Sequence, residues 1–312
     1  MQTPTSLQPG KLFQRTDIKV PSSRSGWNLD AWMYTPTTCQ SPVPTVIMAN
    51  GFGLCKAHGL PAYAEEFAAS GYACILFDYR RWGNSDGTRR NSLYVSEQLE
   101  DYRAVFHWVR QNPNLDSDRI VLWGFSFAGG HVLTLAAELG TQVKATISQS
   151  PHLGRPLPFL MTINYFKLWL HGLMDLFKQV LGFSSPWYIP IVARPGELGA
   201  VTRSHALEGY LWVSEGVGFD NRISASAFFR VPPYKPIQTA HLIKCPVLLV
   251  APKNDASRPA KATIAASTVV PNSSVLHLLG GHFDMFRGGT DYELSIRSQI
   301  QFLRQHVPLV SS

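Results

Sequence analysis

Cysteine, charge and blocks of like charge are all scarce in this chain. Four of its 312 residues are cysteine: Cys39, Cys55, Cys74 and Cys245. None form a C-x-x-C pair and no histidine stands at zinc spacing from them, so neither a disulfide framework nor a structural zinc site is expected. Cys74 and Cys245 fall in or beside apolar runs and read as small buried side chains. Charged residues make up 16% of the chain, below the usual quarter. An excess of 28 basic over 21 acidic residues gives a net charge of +7. No Lys/Arg block is longer than the pairs Arg80-Arg81 and Arg89-Arg90, which argues against nucleic acid as a partner. The phosphate-cradling patterns G-x-G-x-x-G and G-x-x-x-x-G-K-[ST] do not occur, and no carboxylate/histidine cluster suggests a metal ion. No cofactor and no metal are therefore expected.

Long hydrophobic runs are missing too. The N-terminal MQTPTSLQPGK contains no apolar signal core, and the C-terminal VPLVSS carries no retention or peroxisomal address. The most apolar stretch, 159 to 181, is interrupted by Lys167, His171, Asp175 and Lys178. That is too polar for stable membrane insertion, although it suits an amphipathic surface helix. A cytoplasmic location is the default expectation. Hydrophobic residues at 45% and aromatics at 12% leave a globular chain with ample material for a core.

What is present is an alternation of buried strands and amphipathic helices. Phe13 to Val20 and Asn28 to Tyr34 read as an edge hairpin. Apolar runs follow at 45–49, 72–77, 120–123 and 144–149, separated by helical patterns at 60–70, 96–111 and 126–140. Continuous apolar runs joined by helices specify a mainly parallel sheet covered on both faces, an α/β architecture. The rhythm stops at Pro151 and resumes with strands at 246–251 and 274–279 and helices at 259–267 and 291–306. Residues 1–150 and 237–312 therefore form one core, and 151–236 read as a helical cap inserted after the strand at 144–149. Apolar cap residues, Phe159, Leu160, Tyr165, Phe166, Trp169, Leu170, Leu173, Phe177 and Trp187, are expected to line an apolar tunnel, half or more of them forming the cap's own core.

The chemistry concentrates in three strand ends. Trp123-Gly-Phe-Ser-Phe-Ala-Gly-Gly130 follows a buried strand and opens a helix, the context of a nucleophile elbow. The elbow needs small residues two before and two after the serine, and Gly124 and Ala128 meet that need. Ser126 alone could be an ordinary helix-capping serine. A base and an orienting acid follow in the order serine, acid, histidine. Asp255 stands just past one strand, 129 residues after Ser126, and His282 just past the next, 27 residues further on. Asp284 competes as the acid but lies too near the histidine in sequence. Two amides are needed for an oxyanion. Phe127 at the helix start supplies one, and Phe52 in Asn50-Gly-Phe-Gly53 the other, with Gly51 and Gly53 as one-residue alternatives. His58, His131 and His152 read as satisfied polar residues, His58 with an alternative place at the pocket mouth. Asp78-Tyr-Arg-Arg-Trp-Gly-Asn-Ser-Asp-Gly87 reads as structural.

The NGFG loop, the run from Phe77 to Gly87, GFSFAGG, the strand end at Asp255 and GGHFD together resemble the α/β-hydrolase superfamily. The resemblance covers about residues 15–150 and 240–306. Within it the chain looks like the dienelactone-hydrolase-related group, and more narrowly like fungal polyketide transferases and thioesterase-like hydrolases of secondary metabolism. It implies Ser126 as the acyl-accepting nucleophile, Asp255 as orienter and His282 as base. It also implies a bulky acyl thioester or ester as the small-molecule substrate, with an acyl-carrier domain of a polyketide synthase as a partner that the basic excess permits. Three other readings stay open: an esterase of small esters, a non-hydrolytic cyclase or lyase using His282 as base, and a binding scaffold. Oligomeric state is not readable from the sequence.

Overall fold

A computed structural model describes residues 12–37, 42–154 and 163–309. Eight strands form one sheet in the order β1-β2-β4-β3-β5-β6-β9-β10. They are β1 (Phe13–Pro21), β2 (Asn28–Pro36), β3 (Val43–Ala49), β4 (Ala73–Phe77), β5 (Leu115–Phe125), β6 (Ala145–Gln149), β9 (Val247–Pro252) and β10 (Ser273–Leu278). β1 pairs antiparallel with β2, and β2 antiparallel with β4. Every other neighbour is parallel. β3, β4, β6 and β9 are buried along their whole length, as a sheet covered on both faces requires. The covering helices are α1 (Leu60–Ala69), α2 (Val95–Gln111), α3 (Phe127–Leu139), α7 (Ala260–Ala266) and α8 (Tyr292–His306). This is the fold of α/β hydrolases. β5 starts well before the four-residue apolar run at 120–123, with the polar, partly exposed Asp116–Arg119 following the buried Leu115.

Between β6 and β9 the chain forms α4 (Ile163–Val180), β7 (Tyr188–Ile189), α5 (Ala206–Val213), β8 (Ile223–Ser224) and α6 (Ala227–Arg230). β7 and β8 pair antiparallel, a small sheet that two-residue strands do not announce in sequence. Asp175 of α4 is the hub of this region. Its carboxylate takes Arg89 at 2.7 Å, the Trp187 amide at 2.9 Å, the Ser224 hydroxyl at 2.6 Å, and both the amide and hydroxyl of Ser226. Asp175 thus joins α4, β7 and β8 to the loop that follows β4.

That loop, 78–91, is rigid for reasons visible in its sequence. Asp78 accepts the Lys56 amide and ammonium, each at 2.7 Å, and the Asn84 amide at 3.1 Å. Gly83 adopts φ +50° with its α-carbon against the Asp78 carboxylate, where any Cβ would collide. Arg80 binds Asp101 at 2.6 Å, Arg81 binds Glu97 at 2.7 Å, and Lys56 also reaches Asp30. The loop then holds the cap, through Arg89 to Asp175, Tyr188 to the Arg90 carbonyl, and the Ser224 amide to the Asn91 carbonyl.

Six of the nine apolar cap residues expected to line a tunnel or fill a cap core face outward instead. Phe166, Trp169, Leu170, Leu173, Phe177 and Trp187 are 39–60% exposed on the outer face of α4 and the turn after it. The inner face carries Leu168, Gly172 and Asp175 instead, with Gly172 packed tightly against the Phe229 ring. Tyr165 packs against Phe228. Phe159 and Leu160 lie outside the described residues. Among the described residues no helix is long and apolar enough to cross a membrane.

Burial would raise the Asp175 carboxyl pKa, but hydrogen bonds from Ser224, Ser226 and the Trp187 amide hold it below the ordinary value of 3.8. A depressed carboxylate pKa stabilises the fold above the unfolded value, and that contribution is lost as pH falls through the folded one. Asp175→Asn is expected to cost roughly 3–5 kcal/mol at neutral pH by leaving the Arg89 guanidinium without its counter-charge. The loss relative to wild type should shrink as pH drops below about 4, and urea unfolding across pH 3 to 7 measures both effects.

Candidate active site

β5 ends at Phe125 and α3 begins at Phe127, leaving Ser126 alone in the bend at φ 55°, ψ −107°. Such a conformation is rare for a residue with a Cβ and is kept only where neighbours enforce it. Here the Ser126 amide donates to the Gln149 carbonyl at 2.8 Å, and its carbonyl accepts the His152 amide at 2.8 Å. Gly124 has to be glycine, since a Cβ there would strike the Ala128 carbonyl. The same crowding explains Gly130, whose Cβ would meet the His152 carbonyl, and Gly51, whose Cβ would lie 2.9 Å from that of Ser126.

The structure brings Ser126, His282 and Asp255 together. His282 Nε2 lies 3.1 Å from Ser126 Oγ, and His282 Nδ1 lies 2.6 Å from Asp255 Oδ2. Because Nδ1–H donates to the carboxylate, Nε2 is left as the acceptor facing the serine hydroxyl. The imidazole rests on the Phe125 ring, with centroids 4.7 Å apart. Asp255 also accepts the Ser257 and Arg258 amides at 2.7 and 2.6 Å on its other oxygen. It therefore caps the following turn and orients the histidine at once. Burial pushes its carboxyl pKa up, but His282, through its hydrogen bond and the charge it carries when protonated, then Ser150 and the Arg258 amide, hold it below the usual value. Asp284 turns away and accepts the Gly281 amide at 2.7 Å. The two loops are laced together by Asn254, whose amide binds the Gly280 carbonyl at 3.0 Å and whose side chain binds the Leu279 carbonyl at 2.8 Å.

The loop after β3 flanks the serine on its other side. Asn50 holds it from within, donating to the carbonyls of Cys55 and His58 at 3.0 and 2.7 Å and accepting the Gly51 amide at 2.9 Å. Gly51 is thereby occupied. Among the described residues, the Phe52 and Gly53 amides have no such acceptor. The Phe127 amide heads α3, where the first N–H groups have no intrahelical partner. The Phe52 and Phe127 rings meet edge to face at 5.9 Å, so these two amides come from adjoining residues. β3 and β5 are neighbours from which the chain departs in opposite directions, the switch point at which open α/β sheets bind ligands.

His131 is fully buried between Tyr234 and Gln98, at 2.9 Å from each, and burial drives its pKa down to about 3. It is a neutral structural residue. His58 accepts the Cys55 amide at 2.8 Å and contacts the Gly218 carbonyl at 3.0 Å, fastening the loop after β3 to the cap. His152 stacks on Tyr234 beside Phe127.

Two residues at the site escape sequence reasoning. Ser150 is buried at φ 47°, and its hydroxyl donates to Asp255 Oδ2 while lying 3.0 Å from His282 Nδ1. Its only sequence signal is a serine at the carboxyl end of a strand beside the strand of the acid. Tyr210 of α5 donates its hydroxyl to the Phe52 carbonyl at 2.7 Å, and nothing in a cap helix marks that contact.

Comparison with known proteins places this geometry in context. Residues 25–155 match the family model for X-Pro dipeptidyl-peptidase (S15 family). The chain is 35% identical over 311 residues to the quorum-quenching protein AidA of Acinetobacter baumannii, covering 99% of this chain and 97% of that one. It is 28% identical over 307 residues to polyketide transferase af380 of Aspergillus fumigatus, covering 95% and 99%. The crystal structure of the α/β hydrolase GrgF from Penicillium superposes with a TM-score of 0.79 at 25% identity, covering 94% of this chain and 99% of GrgF. The similar proteins thus include bacterial and fungal ones.

Ser150→Ala keeps the Cβ and removes only the hydroxyl. Without that donor the Asp255 carboxyl loses one of the hydrogen bonds that hold its pKa below the ordinary value, and with it part of what fixes the His282 ring. Labelling of Ser126 by a fluorophosphonate should slow about tenfold at pH 7, the scale of one lost charge-assisted hydrogen bond. Labelling at the wild-type rate in a folded Ser150→Ala variant would show that Ser150 takes no part in orienting the pair.

Proposed function

Since the chain belongs to the α/β-hydrolase superfamily, in one family with AidA, we propose that it is a serine-nucleophile acyl hydrolase or acyltransferase working through an acyl-enzyme. The hydrolase or acyltransferase character is common to its relatives in secondary metabolism. The observation that supports the finer reading is the line of hydrogen bonds from Ser126 through His282 to Asp255, beside two amides free to receive an oxyanion.

In this mechanism His282 Nε2 takes the proton as Ser126 Oγ attacks a thioester or ester carbonyl. Asp255 stabilises the imidazolium and keeps its ring in register. The carbonyl π electrons move onto oxygen, and the oxyanion is held by the Phe127 and Phe52 amides. Collapse of the tetrahedral adduct breaks the bond to sulfur or oxygen, and the imidazolium returns its proton to the leaving group. Water or an alcohol then attacks the acyl-serine, with His282 again as base. Two catalytic loops lean on the cap, one through the bond from Tyr210 to the Phe52 carbonyl and one through the packing of Tyr210 on Phe283 at 5.4 Å. A polyketide-like substrate, with a carrier-bound thioester as the donor, is suggested by the similarity to polyketide transferases such as af380. The outward face of α4 removes the cap tunnel as an argument for a long acyl chain, so a smaller ester stands as the second reading.

Intact-protein mass spectrometry after mixing with acyl thioesters and matched oxygen esters of increasing length tests both. Wild type should gain the mass of one acyl group, and Ser126→Ala none, with turnover reduced on the order of 10⁴-fold or more. Turnover that survives Ser126→Ala but is lost in His282→Ala would sink the acyl-enzyme and favour a base-only cyclase or lyase. Preference for short oxygen esters would select the second reading.

A further inference from the structure

The outer face of α4 has the form of a helix-pairing surface with no partner among the described residues. Ten large apolar side chains between Phe166 and Trp187 are 39–83% exposed. At roughly 150–250 Å² for each aromatic and somewhat less for each aliphatic side chain, they leave on the order of 900 Å² of apolar surface open in all, above the 300–600 Å² typical of the largest patch on a monomer. The centre of the patch is a stripe at Phe166, Leu170, Leu173, Phe177 and Val180. Its spacing of four, three, four, three is the 3.5-residue period by which one helix buries a seam against another.

We propose that this face joins two copies of the chain, their α4 helices antiparallel across a two-fold axis at Leu173. The stripe is nearly symmetric about that residue. Leu173 meets its own copy, Trp169 lies opposite Phe177, and Phe166 lies opposite Val180, as an isologous contact requires. The area available on each copy matches the roughly 800 Å² per partner of a standard stable interface. The inner face of α4 is already committed through Gly172 to Phe229 and through Asp175 to Arg89, so the helix cannot roll its apolar stripe inward. A bilayer surface is the competing occupant. An interfacial membrane helix carries a strongly charged face opposite its apolar one. Here the opposite face is packed on protein, and Lys167 and Lys178 are the only cations on the helix.

Sedimentation of the full chain at tens of micromolar tests the pairing. Wild type is expected at twice the mass of one chain. Leu173→Asp and Leu173→Lys each set like charges face to face and should raise the dissociation constant by at least about 30-fold. Unchanged circular dichroism in each variant separates this from unfolding. An equimolar mixture of the two variants should recover the dimer, because the aspartate then meets the lysine. A monomeric wild type, variants that remain dimeric, or a mixture that remains monomeric would each overturn the proposal. So would a monomeric wild type that cosediments with phosphatidylglycerol vesicles, which would give the face to lipid.

Discussion

The site depends on the backbone at Ser126. A non-glycine residue held at φ 55°, ψ −107° costs about 1–3 kcal/mol and relaxes unless it is fixed from both sides. It is fixed by one short piece of chain, Gln149 to His152, which accepts from the Ser126 amide and donates to its carbonyl. Gly51, Gly124 and Gly130 exist at the points where a Cβ would keep these strands of backbone apart. The same piece of chain carries Ser150, itself at φ 47°, to the carboxylate of Asp255. It is also the root of the cap. The bend that presents the serine, the support of the acid and the departure of the cap are therefore a single packing arrangement.

A second set of constraints runs from the loop after β4. Its buried charges are paired within it or with adjacent helices, as with Lys56 to Asp78 and Arg80 to Asp101. Buried pairs of this kind add little net stability compared with apolar packing, but they fix geometry because every wrong arrangement strands a charge. Lys56 lies in the loop that supplies the Phe52 amide, and Arg89 reaches the hub of the cap. The run from Asp78 to Gly87 and the residues just beyond it hold both the loop after β3 and the root of the cap in position.

Most of the core was legible because its signals are local. Fully buried parallel strands read as apolar runs, and Gly124, Ser126 and Ala128 sit in a strand-turn-helix bend that few other structures need. Asp255 and His282 were legible from order and from strand ends, since parallel strands deliver their carboxyl ends to one side. Ser150 and Tyr210 were not, because a single hydroxyl placed by tertiary packing leaves no period or spacing. Gly51 was separated from Phe52 only by the Asn50 side chain, a contact one residue away that composition does not reveal. The largest misreading was the direction of the apolar stripe on α4. An amphipathic helix shows its stripe in sequence, but the direction of that stripe is decided by what covers the other face, and here Asp175 and Gly172 decide it.

That reversal changes what the scarcity of charge means. A chain with few charged residues and many aromatics invites the reading of a large apolar pocket. Instead, several charges it does have are internal, in pairs such as Arg80–Asp101 and Arg89–Asp175. Much of the apolar surplus is turned outward on α4, where Phe177 is 60% and Val180 83% exposed. Water-exposed apolar area on this scale is unfavourable by about 25 cal/mol per Å² relative to burial, so a monomer gains nothing from carrying it. An interior role is closed off by the buried carboxylate of Asp175, which would have to leave Arg89, Ser224 and Ser226 for the helix to turn. The stability of the cap and the exposure of its stripe thus have the same cause, and the surface that results is apolar area that no described residue of the chain covers.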